Sequence, residues 1–141
     1  MKGKRFCHLA CLITVLLVFS NANIMAQNLL IAEVTNLRNN KGQVVMELFD
    51  EDHNSLKVIT GVIDVNKCTI KYEDLKDGIY AIRYFHDENS DMDIETNVVG
   101  IPKEGIGIVN NAIGQFGPKP FKQWLFTVRG DTLITLATYY Y

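Results

Sequence analysis

Helical periodicity is missing from this sequence, and so are most of the side chains on which enzymes and metal sites are built. No stretch beyond residue 26 repeats apolar residues at the three- and four-residue spacing of a helix face. One cysteine remains beyond that point, Cys68, so no internal disulfide is expected and the apolar core must stabilise the fold alone. Inside an apolar run, such a cysteine reads as a small buried hydrophobe. The same region holds two serines, Ser55 and Ser90, neither in a nucleophile-elbow context, and two histidines, His53 and His86, in unrelated segments. A serine or cysteine nucleophile and a zinc site are therefore poorly supported.

Positive charge is scarce too. The full chain carries a net charge of −2. Lys2, Lys4 and Arg5 lie before residue 27 and no acidic residue does, so the remainder stands at −5. Without a basic patch, nucleic acid and anionic lipid are poor partners.

The first residues are of a different kind. Lys2, Lys4 and Arg5 precede an uninterrupted apolar run, Leu12 to Ser20, and "NANIMAQ" follows with the small Ala26 before Gln27. A basic start, a short apolar core and a small-residue end form the pattern of a cleavable signal peptide. The run is too short for a comfortable membrane span. Cys11 precedes the apolar run, which argues against lipid attachment. The expectation is a signal peptide at 1–26, cleavage after Ala26, and a single domain at 27–141 that is exported to the periplasm or outside the cell, with no membrane span after cleavage.

Beyond Gln27 the pattern is one of short strands. β-branched and aromatic runs occur at 29–37, 43–51, 58–66, 68–75, 79–86, 124–130 and 133–140. Seven such runs predict an all-β fold, a single antiparallel β-sandwich of immunoglobulin-like or prealbumin-like size. "RNNKG" (Arg38 to Gly42) has hairpin chemistry, and Gly130-Asp131 suggests a hairpin between the last two runs. In the 79–86 run Tyr80, Ile82 and Tyr84 share one face and Ile79, Ala81 and Phe85 the other, as in a central strand. "DGIY" (Asp77 to Tyr80) has the spacing of a tyrosine corner, and Tyr80 and Trp124 read as core. "FDEDHN" (Phe49 to Asn54) reads as a solvated hairpin end.

Between His86 and Lys122 lie about 35 residues with no convincing strand or helix, far beyond the usual loop in a compact domain. Val98, Val99, Ile101, Ile106, Ile108 and Val109 give it enough apolar surface to pack, so an ordered excursion over one end or face of the sandwich is expected. Gly100, Gly105 and Gly107 would supply its bends and Pro102 its stiffness. The excursion opens with Asp87, Asn89, Asp91, Asp93 and Glu95, an oxygen-bearing side chain at every second position. Calcium takes six to eight hard oxygens at about 2.4 Å, and a curled loop of this spacing offers several. Met92 stands where such loops carry glycine, and Val98 stands at the position of the closing glutamate, so this is no EF-hand. The competing reading has the same side chains capping the loop's own turns.

"YAIRYFHDEN", "TNVVGIPKEGIGIVNN" and "FGPKPF" together resemble an exported bacterial family described as a domain of unknown function, DUF2141. The resemblance covers nearly all of the chain beyond Gln27. Its motif falls here on His86, Asp87, Glu88, Asn89, Gly100, Pro102, Glu104, Gly105, Asn110 and Asn111. Departures are Asp91 where the family has asparagine, Met92 where it has glycine and Val109 where it has serine. The resemblance implies fold and compartment, not an activity.

Two functional classes follow. One is an exported, non-catalytic β-sandwich, binding or structural in the cell envelope, with a glycan, peptide or envelope protein as partner, Ca²⁺ as its one conceivable cofactor and no catalytic residues. The other is a carboxylate-dependent hydrolase of glycosidase type using the 86–111 loop, with His86, Asp87, Glu88 and Glu104 as acid and base. An acid–base pair with no nucleophile leans away from the enzyme.

Overall fold

The computed structural model describes residues 27–115 and 117–141; the expected signal peptide at 1–26 lies outside them. Among the described residues eleven strands run in chain order: β1 (Asn28–Thr35), β2 (Gln43–Asp50), β3 (Ser55–Gly61), β4 (Ile63–Asp64), β5 (Lys67–Leu75), β6 (Gly78–Asp87), β7 (Gly105–Ile108), β8 (Ile113–Gly114), β9 (Gly117–Pro118), β10 (Phe126–Val128) and β11 (Thr132–Ala137). Single 3-10 turns at Val109–Asn111 and Phe121–Gln123 are the helical elements among the described residues. The fold is all-β, as the strand-forming composition requires.

Two main sheets pack as a sandwich. One has the order β11-β1-β5-β4; the other has β10-β6-β2-β3, with β7 also paired to β6. Side chains of Leu30, Ala32, Val34, Cys68, Ile70 and Tyr72 from the first sheet meet Val44, Met46, Leu48, Tyr80, Ile82 and Tyr84 from the second, all buried. From Lys67 to Glu73 in β5 the core positions alternate with exposed ones, as expected of a strand with one wet face. β6 is central and buries side chains on both faces: Ala81 on the outer face is as fully covered as Ile82 on the inner one. Cys68 is buried, and burial pushes its thiol up to about 11.

The tyrosine corner is present. The Tyr80 hydroxyl donates to the Lys76 carbonyl at 2.9 Å, tying the start of β6 to the connection from β5 in the opposite sheet. The Phe49–Asn54 segment is the expected hairpin end between β2 and β3, closed by Asp50 Oδ1, which accepts the backbone N–H of Asp52 (3.0 Å) and of Asn54 (2.8 Å).

Four strand-level expectations are corrected. The 38–42 turn makes no hairpin, because β1 and β2 lie in different sheets and the turn crosses between them. Gly42 sits there at φ 67, where a Cβ would lie 1.8 Å from the Asp87 carbonyl oxygen, so glycine is demanded by close approach and not by a two-residue turn. The 58–66 run breaks at Val62 and divides between the sheets as β3 and β4. The last two runs do not pair either: β10 pairs with β6, and β11 crosses over to lie parallel to β1. The sandwich is therefore not wholly antiparallel. Two carboxylates explain the crossing. Asp131 Oδ1 accepts the Leu29 N–H at 2.9 Å, and Asp77 Oδ1 accepts both the Asn28 amide (2.8 Å) and the Gly130 N–H (3.2 Å), steering the turn toward β1. Finally, Gly105–Ile108 is a strand antiparallel to β6, so Gly105 and Gly107 are not bends. A Cβ on Gly107 would come 2.1 Å from the Tyr84 ring, and one on Gly105 would come 2.5 Å from the Tyr140 ring. These glycines make room for tyrosines. Gly100, at φ 82, is a bend as expected.

Candidate functional site

β6 delivers His86 and Asp87 to one end of the sandwich, where the β1–β2 crossover, the loop after β6 and the last residues of the chain converge. Both side chains are completely buried. His86 points inward. Its Nε2 lies 2.8 Å from the Lys41 carbonyl oxygen, which only accepts, so Nε2 carries a proton. In the neutral ring Nδ1 then accepts from the Tyr140 hydroxyl at 2.7 Å. Burial pushes that hydroxyl's pKa up, which keeps it a donor. The Tyr140 oxygen in turn accepts the Arg38 backbone N–H at 3.1 Å, and the Arg38 guanidinium lies over the Tyr140 ring, 4.7 Å from its centre.

Glu88 completes this cluster at its solvent edge. Its Oε1 is in contact with Arg38 Nη2, without a well-directed hydrogen bond, and Oε2 accepts from the Asn39 amide at 3.0 Å. Burial pushes the Glu88 carboxyl up, but the hydrogen bond from Asn39 and the adjacent Arg38 guanidinium outweigh it and hold the group below its ordinary value.

Asp87 points the other way, under the loop. Its Oδ1 accepts the backbone N–H of Asp91 (3.1 Å), and its Oδ2 accepts the N–H of Met92 (3.1 Å) and the Gln43 amide (2.8 Å). Asn89 Oδ1 also accepts the Asp91 N–H (3.1 Å), and Asp91 Oδ1 accepts the Asp93 N–H (2.9 Å). Glu104, buried at the far side of the loop, receives the Glu88 N–H on Oε1 (2.9 Å) and the Glu95 N–H on Oε2 (3.2 Å). The two buried carboxylates thus grip the loop's own backbone from its two ends, the arrangement of capped turns. Among the described residues no group of three or more His, Cys, Asp or Glu side chains is disposed to hold a metal ion. Met92 has φ 70, a left-handed conformation that favours glycine.

Beyond Glu95 the chain forms a hydrogen-bonded finger. Thr96 and Pro102 face each other, the Lys103 N–H donates to the Glu95 carbonyl (2.8 Å), and Asn97 Oδ1 accepts the N–H groups of Val99 and Ile101, each at 3.0 Å. Its tip exposes Val98 and Val99. The chain then returns through β7, whose Ile106 exchanges two 2.9 Å backbone bonds with Tyr139. Asn110, at φ 60, donates from its amide to the carbonyls of Gln123 (3.3 Å) and Leu125 (3.0 Å), fixing the approach to β10. Phe121 and Trp124 of that approach cover Phe49 on the outer face of the second sheet, and His53 stacks on Phe121 with ring centres 3.9 Å apart.

Of the sequence-selected residues, His86, Asp87, Glu88, Asn89, Asp91 and Glu104 meet at one end of the sandwich. Asp93 joins it through its backbone, and Glu95 through its backbone and a 3.5 Å bond from the Asn89 amide to its Oε1. Gly100 and Pro102 lie out on the finger, while Asn110 and Asn111 lie farther along, after β7. Sequence reasoning passed over Arg38, Asn39, Gln43 and Tyr140 as partners. Tyr140 is 54 residues from His86, and no local pattern marks it.

A family model described as "Uncharacterized protein conserved in bacteria (DUF2141)" matches residues 32–135. Among solved structures the chain is similar to a variant of BcpA, the major pilin subunit of Bacillus cereus, at 13% identity and a TM-score of 0.34, over 79% of this chain and 29% of that one. The chain thus spans less than a third of the pilin's length. No curated protein matches it.

Proposed function

This chain belongs to the DUF2141 family, and from that premise we propose that it is an exported, non-catalytic β-sandwich domain that holds a partner in the cell envelope and does not turn over a substrate. One observation carries this reading: three of the titratable side chains of the motif, His86, Asp87 and Glu104, are buried and already engaged inside the protein. His86 is bound at both ring nitrogens, and Asp87 and Glu104 accept backbone N–H groups while buried. A general acid or base needs a free proton site within reach of substrate. A glycosidase needs two carboxyls facing a common cleft, about 5 to 9.5 Å apart. Asp87 and Glu104 face the loop's backbone.

The same geometry supports the capping role for the acidic segment. Calcium at Asp87 would have to displace the N–H donors of Asp91 and Met92, leaving buried donors unpaired at about 1–3 kcal/mol each. Export is supported by the basic and apolar pattern of residues 1–26, and the acidic balance beyond it supports a protein or glycan partner over a nucleic acid.

The test uses protein purified from its native host, as processed there. Intact mass beginning at Gln27 is expected; retention of residues 1–26 contradicts export. Incubation with panels of oligosaccharides and peptides should give binding without new products by mass spectrometry. Turnover that is lost in Glu104→Gln or Asp87→Asn, both still folded, would establish the hydrolase instead.

A further inference from the structure

The last residues of the chain fill a slot whose walls come from other segments. The Arg38 guanidinium lies over the Tyr140 ring, 4.7 Å from its centre, and Gly105 packs so closely that a Cβ there would come 2.5 Å from the ring. His86 meets the ring at 78°, and the Tyr140 hydroxyl donates to its Nδ1 (2.7 Å) while accepting the Arg38 N–H (3.1 Å). The Lys41 carbonyl fixes the His86 tautomer, so Nδ1 is an acceptor aimed into the slot whether or not Tyr140 is there. Glu88 Oε1 stands 4.0 Å from that nitrogen, buried and without a hydrogen-bond partner. Native interiors rarely leave such an acceptor unspent. The resident tail does.

The tail itself is lightly held. Thr138 bonds to the Thr35 carbonyl through its N–H (3.1 Å) and its hydroxyl (2.9 Å), and Tyr139 exchanges two 2.9 Å backbone bonds with Ile106 of β7. Among the described residues Tyr140 and Tyr141 make no backbone–backbone bond. Segments at the end of a chain, held by so few bonds, are the first to open locally. The walls are of another kind: Arg38 and Gly105 flank His86, which is completely buried at the end of the central strand β6. All of them lie within residues 32–135, the stretch the family model matches, and the tail lies beyond it. The slot belongs to the family domain, and its present occupant does not.

We propose that this slot recognises a tyrosine side chain on an extended segment of a partner polypeptide, and that residues 138–141 are its resident occupant, displaced when the partner binds. The tail shows what fits: one residue pairs with Ile106 through both backbone groups, and the next sends its phenol into the slot. The hydroxyl is the selective element. Nδ1 needs a donor and the Arg38 N–H needs an acceptor, and a phenylalanine supplies neither. The unspent Glu88 oxygen can take a donor from the partner that the tail does not offer, which favours the exchange. The inference rests on the reading of this chain as a domain that holds a partner, and it names the class of that partner.

The probe is the acetylated peptide ATYYY, the sequence of residues 137–141, with ATYFY as its control. The readout is residue-resolved amide exchange of the isotope-labelled protein by NMR, with unlabelled peptide added. At saturation the Tyr139 N–H should exchange about tenfold or more faster, because the tail has left, while the Ile106 N–H stays protected by the peptide in its place. ATYFY should bind about tenfold more weakly, the worth of one hydrogen bond. Tyr140→Ala empties the slot and should bind ATYYY about tenfold or more tightly than the parent, since the tethered competitor is gone. Should that variant fold poorly, Tyr140→Phe loosens the competitor by one hydrogen bond and should also bind more tightly than the parent. No binding, equal binding of the two peptides, exposure of Ile106 together with Tyr139, or a folded variant that binds no tighter overturns the proposal. Tail release that grows with protein concentration and needs no peptide also overturns it, by making a second copy the occupant. Any of these failures leaves the non-catalytic reading standing, whereas cleavage of ATYYY refutes that reading and the slot with it.

Discussion

Replacing His86 by alanine and Tyr140 by phenylalanine, singly and together, asks whether the buried histidine is a clasp. His86 is completely buried, with Nε2 on the Lys41 carbonyl and Nδ1 on the Tyr140 hydroxyl at 2.8 and 2.7 Å. His86→Ala removes both bonds, leaves a cavity and unpairs the hydroxyl of Tyr140. Two hydrogen bonds at about 1 kcal/mol each, with an unsatisfied partner group adding about 1–3 kcal/mol, put the loss near 4 kcal/mol. Tyr140→Phe keeps the ring under the Arg38 guanidinium and removes only the hydroxyl that links Arg38 N–H to His86, a loss of about 1–2 kcal/mol. The two changes share one bond, so the double variant should be less destabilised than the sum of the singles by about 1 kcal/mol. Urea unfolding followed by tryptophan fluorescence measures this, since Trp124 is the one tryptophan and is buried. Additive losses, or a His86→Ala variant as stable as the parent, would refute the clasp.

Four other changes test the surrounding geometry. Gly107→Ala drives a Cβ to 2.1 Å from the buried Tyr84 ring and should destabilise by about 2–3 kcal/mol, whereas Gly100→Ala, with open space around it, should lose only about 1 kcal/mol from its φ of 82. Thermal melts of the two decide it, and equal losses would contradict the account. Met92→Gly relieves a left-handed φ of 70 and should leave stability unchanged or raise it by up to about 1 kcal/mol; a large loss would show that the Met92 side chain matters more than its backbone. Glu88 has a folded pKa below its ordinary 4.5, so its contribution is fully present above that value and is lost as pH falls through the lower folded value. Arg38→Ala should therefore flatten the acid limb of the stability profile below pH 4.5 and leave its shape above pH 6 unchanged.

What could be read in the sequence was whatever local chemistry decides. Strand positions follow from β-branched and aromatic runs, and the tyrosine corner follows from Asp77-Gly78-Ile79-Tyr80, where turn and partner lie four residues apart. Pairing partners are chosen at long range. Gly130-Asp131 has the composition of a hairpin, but Asp77 and Asp131 tie that turn to Asn28 and Leu29, and the chain crosses sheets. Gly105 and Gly107 resemble bends until the rings of Tyr140 and Tyr84 are placed against them. The acidic repeat was legible as a site of oxygen atoms, and both a cation and the loop's own N–H groups were open as its partner. The burial of Asp87 beneath the loop, which no local pattern reveals, favours the N–H groups.

The central claim is that Asp87 and its neighbours cap the loop and hold neither an ion nor a substrate. Melting of the exported protein and of Asp87→Asn, each in chelator and in millimolar calcium, tests it most directly. The account predicts that the variant melts lower than the parent by the worth of a charged acceptor for three donors, about 3 kcal/mol, and by the same amount in both buffers. A parent stabilised by calcium, with the increment abolished in Asp87→Asn, would contradict it.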